Sequence, residues 1–373
     1  NNTAATQFNW TYKVVYVYNV KKDGTGDFTT IQAAINATIK DDTVKVFSGT
    51  YPENLVIDNK NIVLIGESKA STIIDGNKEG SGIYVSNINN SGLIISGFTI
   101  QNGIGTINPA DPTNPSANRT GGGILTYEAN NVALSNLIVE NNRADDGGGI
   151  MLFDGEGITL NNVVIRHNEQ GSTAGSGTAI QIKAGAYVAN TLIVENGWSG
   201  SSGFGVQAVN IQTDSNIHFE SVTIANNNGL PMHTPYHGPK LTMYNSIVDY
   251  PSVGGQPPSF SPQWGNFYYG FFASNIKGGI SIANNFTNID ENSLTFESEW
   301  IIDEPIAFND SSKGDYSLAD WSPLIGKGVS QLRSGRQFGQ LTTDILGNPR
   351  PNPQGSDQDL GAYENSLSTP GRK

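Results

Sequence analysis

Tyr127, Phe153 and Lys183 fall at equivalent places in three consecutive stretches of similar sequence, 26 and 30 residues apart. Two aromatic rings followed by an ammonium group are groups that hold a sugar. A ring stacks on the apolar face of a pyranose, and a cation meets a carboxylate beside it. Acidic residues and one arginine flank the middle stretch: Arg143, Asp145 and Asp146 ahead of it, Glu128, Asp154 and Glu156 around its far end. Such a set suits β-elimination on a uronic acid. That reaction needs a charge to neutralise the substrate carboxylate and a base of lowered proton affinity, a role for Lys183 or Arg143 if positive charge crowds them. Asp145, Asp146, Asp154 and Glu156 are then candidate ligands for a calcium ion that supplies the neutralising charge. Hydrolysis would instead pair two carboxyl groups ~5–10 Å apart, Asp145 or Asp146 against Asp154. A binding surface with no reaction would use the same rings and lysine.

These residues must be positioned by a repeat. Segments 80–101, 121–140, 147–166, 177–195 and 203–225 each read as Gly-x-x-aliphatic, a turn, and an alternating apolar strand ending near Asn. A period of this size marks a solenoid, since one coil cannot bury its apolar side until a neighbour stacks on it. The strands put Phe98/Ile100, Leu137/Val139, Val163/Ile165, Leu192/Val194 and Val222/Ile224 inward, with Thr99, Ile138, Val164, Ile193 and Thr223 outward. Polar turn residues stack as Asn136, Asn162, Thr191 and Ser221 before the strand and as Asn102, Asn141, Asn196 and Asn226 after it. His167 takes a place in the second stack. After each glycine turn, one outward column reads Tyr84, Leu125, Met151, Gln181, Gln207 and His233, and the next reads Ser86, Tyr127, Phe153, Lys183 and Val209. Tyr84, Gln181, Gln207 and His233 thus join Tyr127 and Phe153 as candidate substrate contacts. The triple glycine at 147–149 resembles a phosphate loop, but it recurs coil by coil and no helix pattern follows it; tight turns account for it.

Composition agrees with coils. Glycine makes up 44 of 373 residues and charged residues 15%, the latter against a typical ~25%. With no cysteine, disulfides, thiolate metal sites and cysteine catalysis are excluded. A net charge of −13 disfavours nucleic acid and anionic membranes, and no apolar run is long enough to insert in a bilayer. It would also repel a polyanionic glycan unless a local cation offsets it. A monomer is expected.

Both ends of a solenoid need covering. Thr30 followed by Ile31, Ala34 and Ile35 predicts a Thr-capped amphipathic helix over about 29–38, closing the first coil. Residues 251–270 read as an irregular covering loop. The organisation expected is 1–270 as the β-helix with its cap, 271–365 as degenerate last coils and a C-terminal cap, and 366–373 as a loose tail.

The opening Asp23-Gly24-Thr25-Gly26-Asp27-Phe28-Thr29-Thr30-Ile31-Gln32-Ala33-Ala34-Ile35, with Phe47-Ser48-Gly49-Thr50-Tyr51-Pro52-Glu53-Asn54, resembles the start of pectin-lyase-like parallel β-helix proteins. The closing Asp344-Ile345-Leu346-Gly347-Asn348-Pro349-Arg350-Pro351 and Asp359-Leu360-Gly361-Ala362-Tyr363-Glu364 resembles the ending of many secreted bacterial β-helix proteins. The resemblance implies an all-β fold, a single-stranded right-handed parallel β-helix of roughly ten coils and three sheets with a short N-terminal capping helix. It further implies a secreted or cell-surface place and a polysaccharide partner lying along the sheet after the glycine turn. It does not choose a reaction, because this fold carries lyases, hydrolases, esterases and adhesins. The motifs that mark pectin methylesterases and galacturonase-type hydrolases are missing, apart from a partial echo at Asp145-Asp146. The leading expectation is a lyase, with a glycan-binding adhesin and a glycoside hydrolase as alternatives.

Overall fold

A computed structural model describes residues 14–89, 92–113, 118–172, 175–197, 206–234, 240–249, 259–260, 267–276, 281–282, 294–302, 304–329 and 341–372. The chain winds as a parallel β-helix of about eight turns, somewhat fewer than the repeat suggests. One face is a nine-stranded parallel sheet that includes Leu55–Asp58, Ile83–Ile88, Ile124–Ala129, Ile150–Phe153, Ile180–Lys183 and Gln207–Ile211. The other two expected sheets are one continuous 17-stranded sheet bent along a crease. Val132–Glu140 and Ile158–Arg166 run through the crease, which each crosses at a left-handed residue, Asn136 (φ 49°) and Asn162 (φ 59°). Asparagine tolerates that conformation better than most residues, so it stacks there. In the next coil the left-handed residue is Asn190 (φ 42°), one position before the expected Thr191.

The core is the stack of inward side chains. Ile83, Ile124, Ile150, Ile180 and Val209 are fully buried in one column, with Val85, Leu152, Ile182 and Ile211 in the next. On the bent sheet Leu137/Val139, Val163/Ile165 and Val222/Ile224 point inward as expected. The coil at 192–194 is the exception. Ile165 pairs with Ile193, so Ile193 enters the core while Leu192 and Val194 face outward. The one-residue slip reverses every side chain of that strand.

Two asparagine columns also replace the single one expected after the strand. Asn142, Asn168, Asn196 and Asn227 form a buried ladder, each Nδ2 donating to the next Oδ1 at 3.1, 3.0 and 3.0 Å. Each receiving Oδ1 also accepts the backbone N–H of the rung before it. The residues one position earlier, Asn102, Asn141, His167, Glu195 and Asn226, are all left-handed and lie outside the ladder.

The capping helix is Ile31–Ala37, with Ile31, Ala34 and Ile35 buried. Thr30 does not cap it through its side chain. The Glu53 carboxylate does, accepting from Ile31 N and Gln32 N at 2.9 Å each. At the other end, Phe267–Ile276 and Leu294–Ile302 continue the parallel ladder. The 251–270 loop falls largely outside the described residues. Residues 304–329 and 341–372 then run along the flank of the stack rather than across its end. Tyr316, Ile345 and Ala362 cover the outward Leu192, Val194 and Ala225, and Leu318, Leu324, Ile325 and Leu360 cover Ile247. Within the described part of the tail, Leu367 packs into this cluster and Gly371 N donates to Asp320 O at 2.7 Å.

Candidate functional site

The glycine turns fix where the nine-stranded sheet begins in each coil. Gly147 and Gly177 have φ of 62° and 70°, and a Cβ at Gly147 would lie 2.9 Å from the Met151 Cβ. Only glycine can both turn the chain and lie that close to the strand it leads into. With the starts fixed, Tyr127 pairs with Phe153 and Phe153 with Lys183. The three are half-buried neighbours on the outer face of the sheet. The Tyr127 and Phe153 ring centroids lie 5.5 Å apart at 53°, and the Lys183 ammonium sits 5.2 Å from the Phe153 centroid. Ser86 and Asp58 continue the column toward the N-terminus.

Lys183 opens onto a groove of about 460 Å³ bordered by Glu128, Asn130, Asp154, Glu156, Thr213 and Ser215. Asp154 is left-handed (φ 52°) and exposed at the strand end. Glu156 is held in place: Ser215 Oγ donates to its Oε1 at 2.5 Å, and Gly185 leaves the space it occupies. A Cβ at Gly185 would lie 1.8 Å from Glu156 Oε2. Glu128 is placed against the Tyr127 hydroxyl, and this contact, followed by burial, raises the phenol above its usual range.

The neighbouring column differs from expectation. Tyr84 is half-buried, but Leu125, Met151 and Gln181 are sealed. Gln181 pairs with Asn210, not Gln207, and Asn210 pairs with His233. Gln207 aligns with Leu230 instead, and Val209 is a core residue beside Ile180. Gln181 and Gln207 are thus buried side chains, and only Tyr84 and the half-buried His233 of this column reach the surface.

The residues ahead of the middle strand belong to the turn stack. Asp145 Oδ2 accepts from Arg119 N at 2.9 Å, and Arg143 Nη2 donates to Gly171 O at 3.0 Å. Asp146 accepts from Asn118 Nδ2 and Ser176 N at 3.2 and 3.1 Å. Burial raises the Asp146 carboxyl, against the Asn118 hydrogen bond and the Lys183 charge. With both oxygens committed to adjacent coils, Asp146 is a poor hydrolytic partner for Asp154. Among the described residues no three acidic or histidine side chains converge as a metal cage.

A second polar groove, which the sequence reading does not assemble, lies at the turn after the bent sheet. It is about 530 Å³ and includes His167, Glu169 and Glu195. His167 Nε2 meets Glu195 Oε2 at 2.6 Å. The one sequence signal for it is a histidine and a glutamate standing where other coils carry asparagine.

The pectate lyase Pel9A matches over 95% of this chain and 97% of its own, with a TM-score of 0.52 and 13% identity. The likeness is one of fold: this chain shares the parallel β-helix architecture of that protein. The pectinesterase family profile matches residues 17–118 of this β-helix protein. Probable pectinesterase/pectinesterase inhibitor 6 of Arabidopsis thaliana is 36% identical over 100 residues, which are 23% of this chain and 18% of that protein. Probable pectinesterase/pectinesterase inhibitor 17 of the same plant is 38% identical over 101 residues, 26% and 20% of the two chains. The β-helix protein thus spans about a fifth of the length of these curated relatives. The matched segment ends before Tyr127, so it covers the capped first coils and none of the ring–lysine column.

Proposed function

We propose that this β-helix protein acts on a methyl-esterified, pectin-type polysaccharide laid along the nine-stranded sheet, by β-elimination. The observation that carries the reading is the Tyr127–Phe153–Lys183 column, three groups in successive coils beside an open groove. Strands in a sheet are ~4.8 Å apart, so one group per coil meets a chain-like ligand at regular intervals. The rings stack on sugar faces, and Lys183 hydrogen-bonds the carboxyl group of a uronate unit. Lys183 is the one cation among the described groove-lining residues, which also include Glu128, Asp154 and Glu156. In this reading Lys183 supplies the positive charge that meets the substrate carboxyl group, and a carboxylate is the base. Glu156, hydrogen-bonded by Ser215, takes the proton from C5 in the same reading. The C–H pair becomes the C4–C5 double bond as the C4–oxygen bond breaks, and the departing oxygen takes up a proton. A methyl ester suits this acidic groove for two reasons: it removes the charge that the net −13 would repel, and it acidifies C5–H without calcium. Such a substrate places the protein at a cell wall or outside the cell. Among the described residues no helix is long and apolar enough to cross a membrane.

The test is turnover of methyl-esterified pectin and of polygalacturonate, followed by ultraviolet absorbance of the unsaturated product. Glu156→Gln should lower kcat by about 100-fold or more with KM little changed. Tyr127→Ala and Phe153→Ala should each weaken retention on pectin by about 1 kcal/mol. Retention without product would leave a glycan-binding adhesin; neither product nor retention would reject the reading outright. A second reading, de-esterification, is favoured by the pectinesterase match over residues 17–118. It predicts methanol release with no unsaturated product.

A further inference from the structure

We infer that the groove around His167 and Glu195 is a second saccharide site, taking a neutral, hydroxyl-rich sugar ring. This rests on the polysaccharide reading above. In the left-handed column outside the ladder, Asn102, Asn141 and Asn226 occupy three rungs, while His167 (φ 53°) and Glu195 (φ 57°) occupy the two between them. Asparagine and histidine are both enriched in this conformation and glutamate is not, so the stack itself does not call for Glu195. The pair is held from behind. Tyr316, from the flanking strap, donates its hydroxyl to Glu195 Oε1 at 2.9 Å and accepts from Asn226 Nδ2 at 3.0 Å. Glu195 Oε2 takes the His167 Nε2 contact, which leaves Nδ1 as the ring nitrogen for a ligand. The His167 side chain is 46% exposed, and the groove beside it continues past Glu169 and Asn141.

The lining decides the ligand class. Two carboxylates, an imidazole and several amides present acceptors and donors together, and among the described residues no lysine or arginine lines the groove. An anion would be repelled. A ring carrying several hydroxyls would satisfy carboxylates and amides together, each hydroxyl both donating and accepting. The groove lies at the turn that leaves the bent sheet, beyond Glu140 and Arg166, whereas Tyr127, Phe153 and Lys183 stand toward the far end of the nine-stranded sheet's strands. One polysaccharide chain could engage one site while a second chain engages the other.

The experiment follows the imidazole C–H resonances of the full chain by NMR while hexasaccharide probes are added: methyl-esterified oligogalacturonide, galactan and arabinan fragments. The chain has 4 histidines, and His167→Asn assigns the signal of interest while keeping the residue its neighbouring rungs carry. The His167 signal should move saturably with at least one probe. His167→Asn and Glu195→Gln should each weaken that binding about fivefold, with the His167→Asn melting temperature within about 2 °C of the parent. In a Tyr127→Ala/Phe153→Ala protein the His167 response should persist. No movement with any probe, or unchanged affinity in His167→Asn on that background, would overturn the second site. Either result leaves the ring–lysine reading standing. A persisting His167 response with pectin turnover unaffected by Tyr127→Ala would instead count against the first site alone.

Discussion

At the scale of single residues, the chain separates groups that hold the stack from groups the stack presents. Asn168 holds it: its Nδ2 donates to Val139 O, Arg166 O and Asn196 Oδ1, and its Oδ1 accepts from Asn142 N and Nδ2. Asn168→Leu fits the volume but leaves buried backbone groups unpaired, so chemical denaturation should show a loss of roughly 3 kcal/mol or more. Gly185 presents: a Cβ there meets only the far end of the Glu156 side chain. Gly185→Ala should therefore shift the melting curve by under about 1 kcal/mol while displacing the Glu156 carboxylate. A fall in turnover with an unchanged melting curve is the outcome to look for. Tyr127, Phe153 and Lys183 were legible because Gly121, Gly147 and Gly177 anchor their coils at the same phase, and period 2 does the rest. Gln207 was misplaced because counting from Gly203 does not give the phase that counting from Gly177 gives: Gln181 pairs with Asn210 instead.

At the scale of elements, local pattern found the pieces and long-range contacts decided their details. The apolar spacing of Ile31, Ala34 and Ile35 predicts the helix, but its cap comes from Glu53, 22 residues away for Ile31. No local rule points to such a partner. Glu53→Ala should cost about 1 kcal/mol of stability in a thermal melt, and Thr30→Ala close to nothing; equal losses would contradict the assignment. The strand at 192–194 shows the same limit. An alternating apolar run normally tells inside from outside, but here both faces are buried, one by the core and one by the flanking strap. With Leu192, Ile193 and Val194 all apolar, nothing in the strand itself fixes its phase. The pair Asn142 and Asn168, recognisable only as turn asparagines, proved to be interior because each coil supplies the partner of the one before.

At the scale of the whole molecule, the strap is fastened by charge as well as by apolar contact. Arg350 and Glu364 meet at 3.0 Å, both fully buried, and Arg350 also donates to Ser221 Oγ and to the carbonyls of Asp359 and Gly361. Arg350→Leu would leave Glu364 buried without its partner and should cost about 3–5 kcal/mol, read as early loss of the strap in hydrogen exchange. Burial pushes Asp359 up to about 6 and, against the pull of Arg350, Glu364 up to about 7. The folded state therefore keeps protons that the unfolded chain releases near pH 4. Stability contributed by these groups is full below about pH 4, falls as pH rises toward 7 and is level beyond it. A melting temperature that rises between pH 5 and pH 8 would contradict this. The ladder carries a further consequence. Rungs 142 and 168 are 26 residues apart and chemically alike, so excising 142–167 would join two ends of matching geometry. Phe153 would leave with that coil and Tyr127 would stand beside Lys183. Substituting side chains changes what this surface offers at each step. Its step length belongs to the backbone, and whole coils are the unit in which it can be lengthened, shortened or re-ordered.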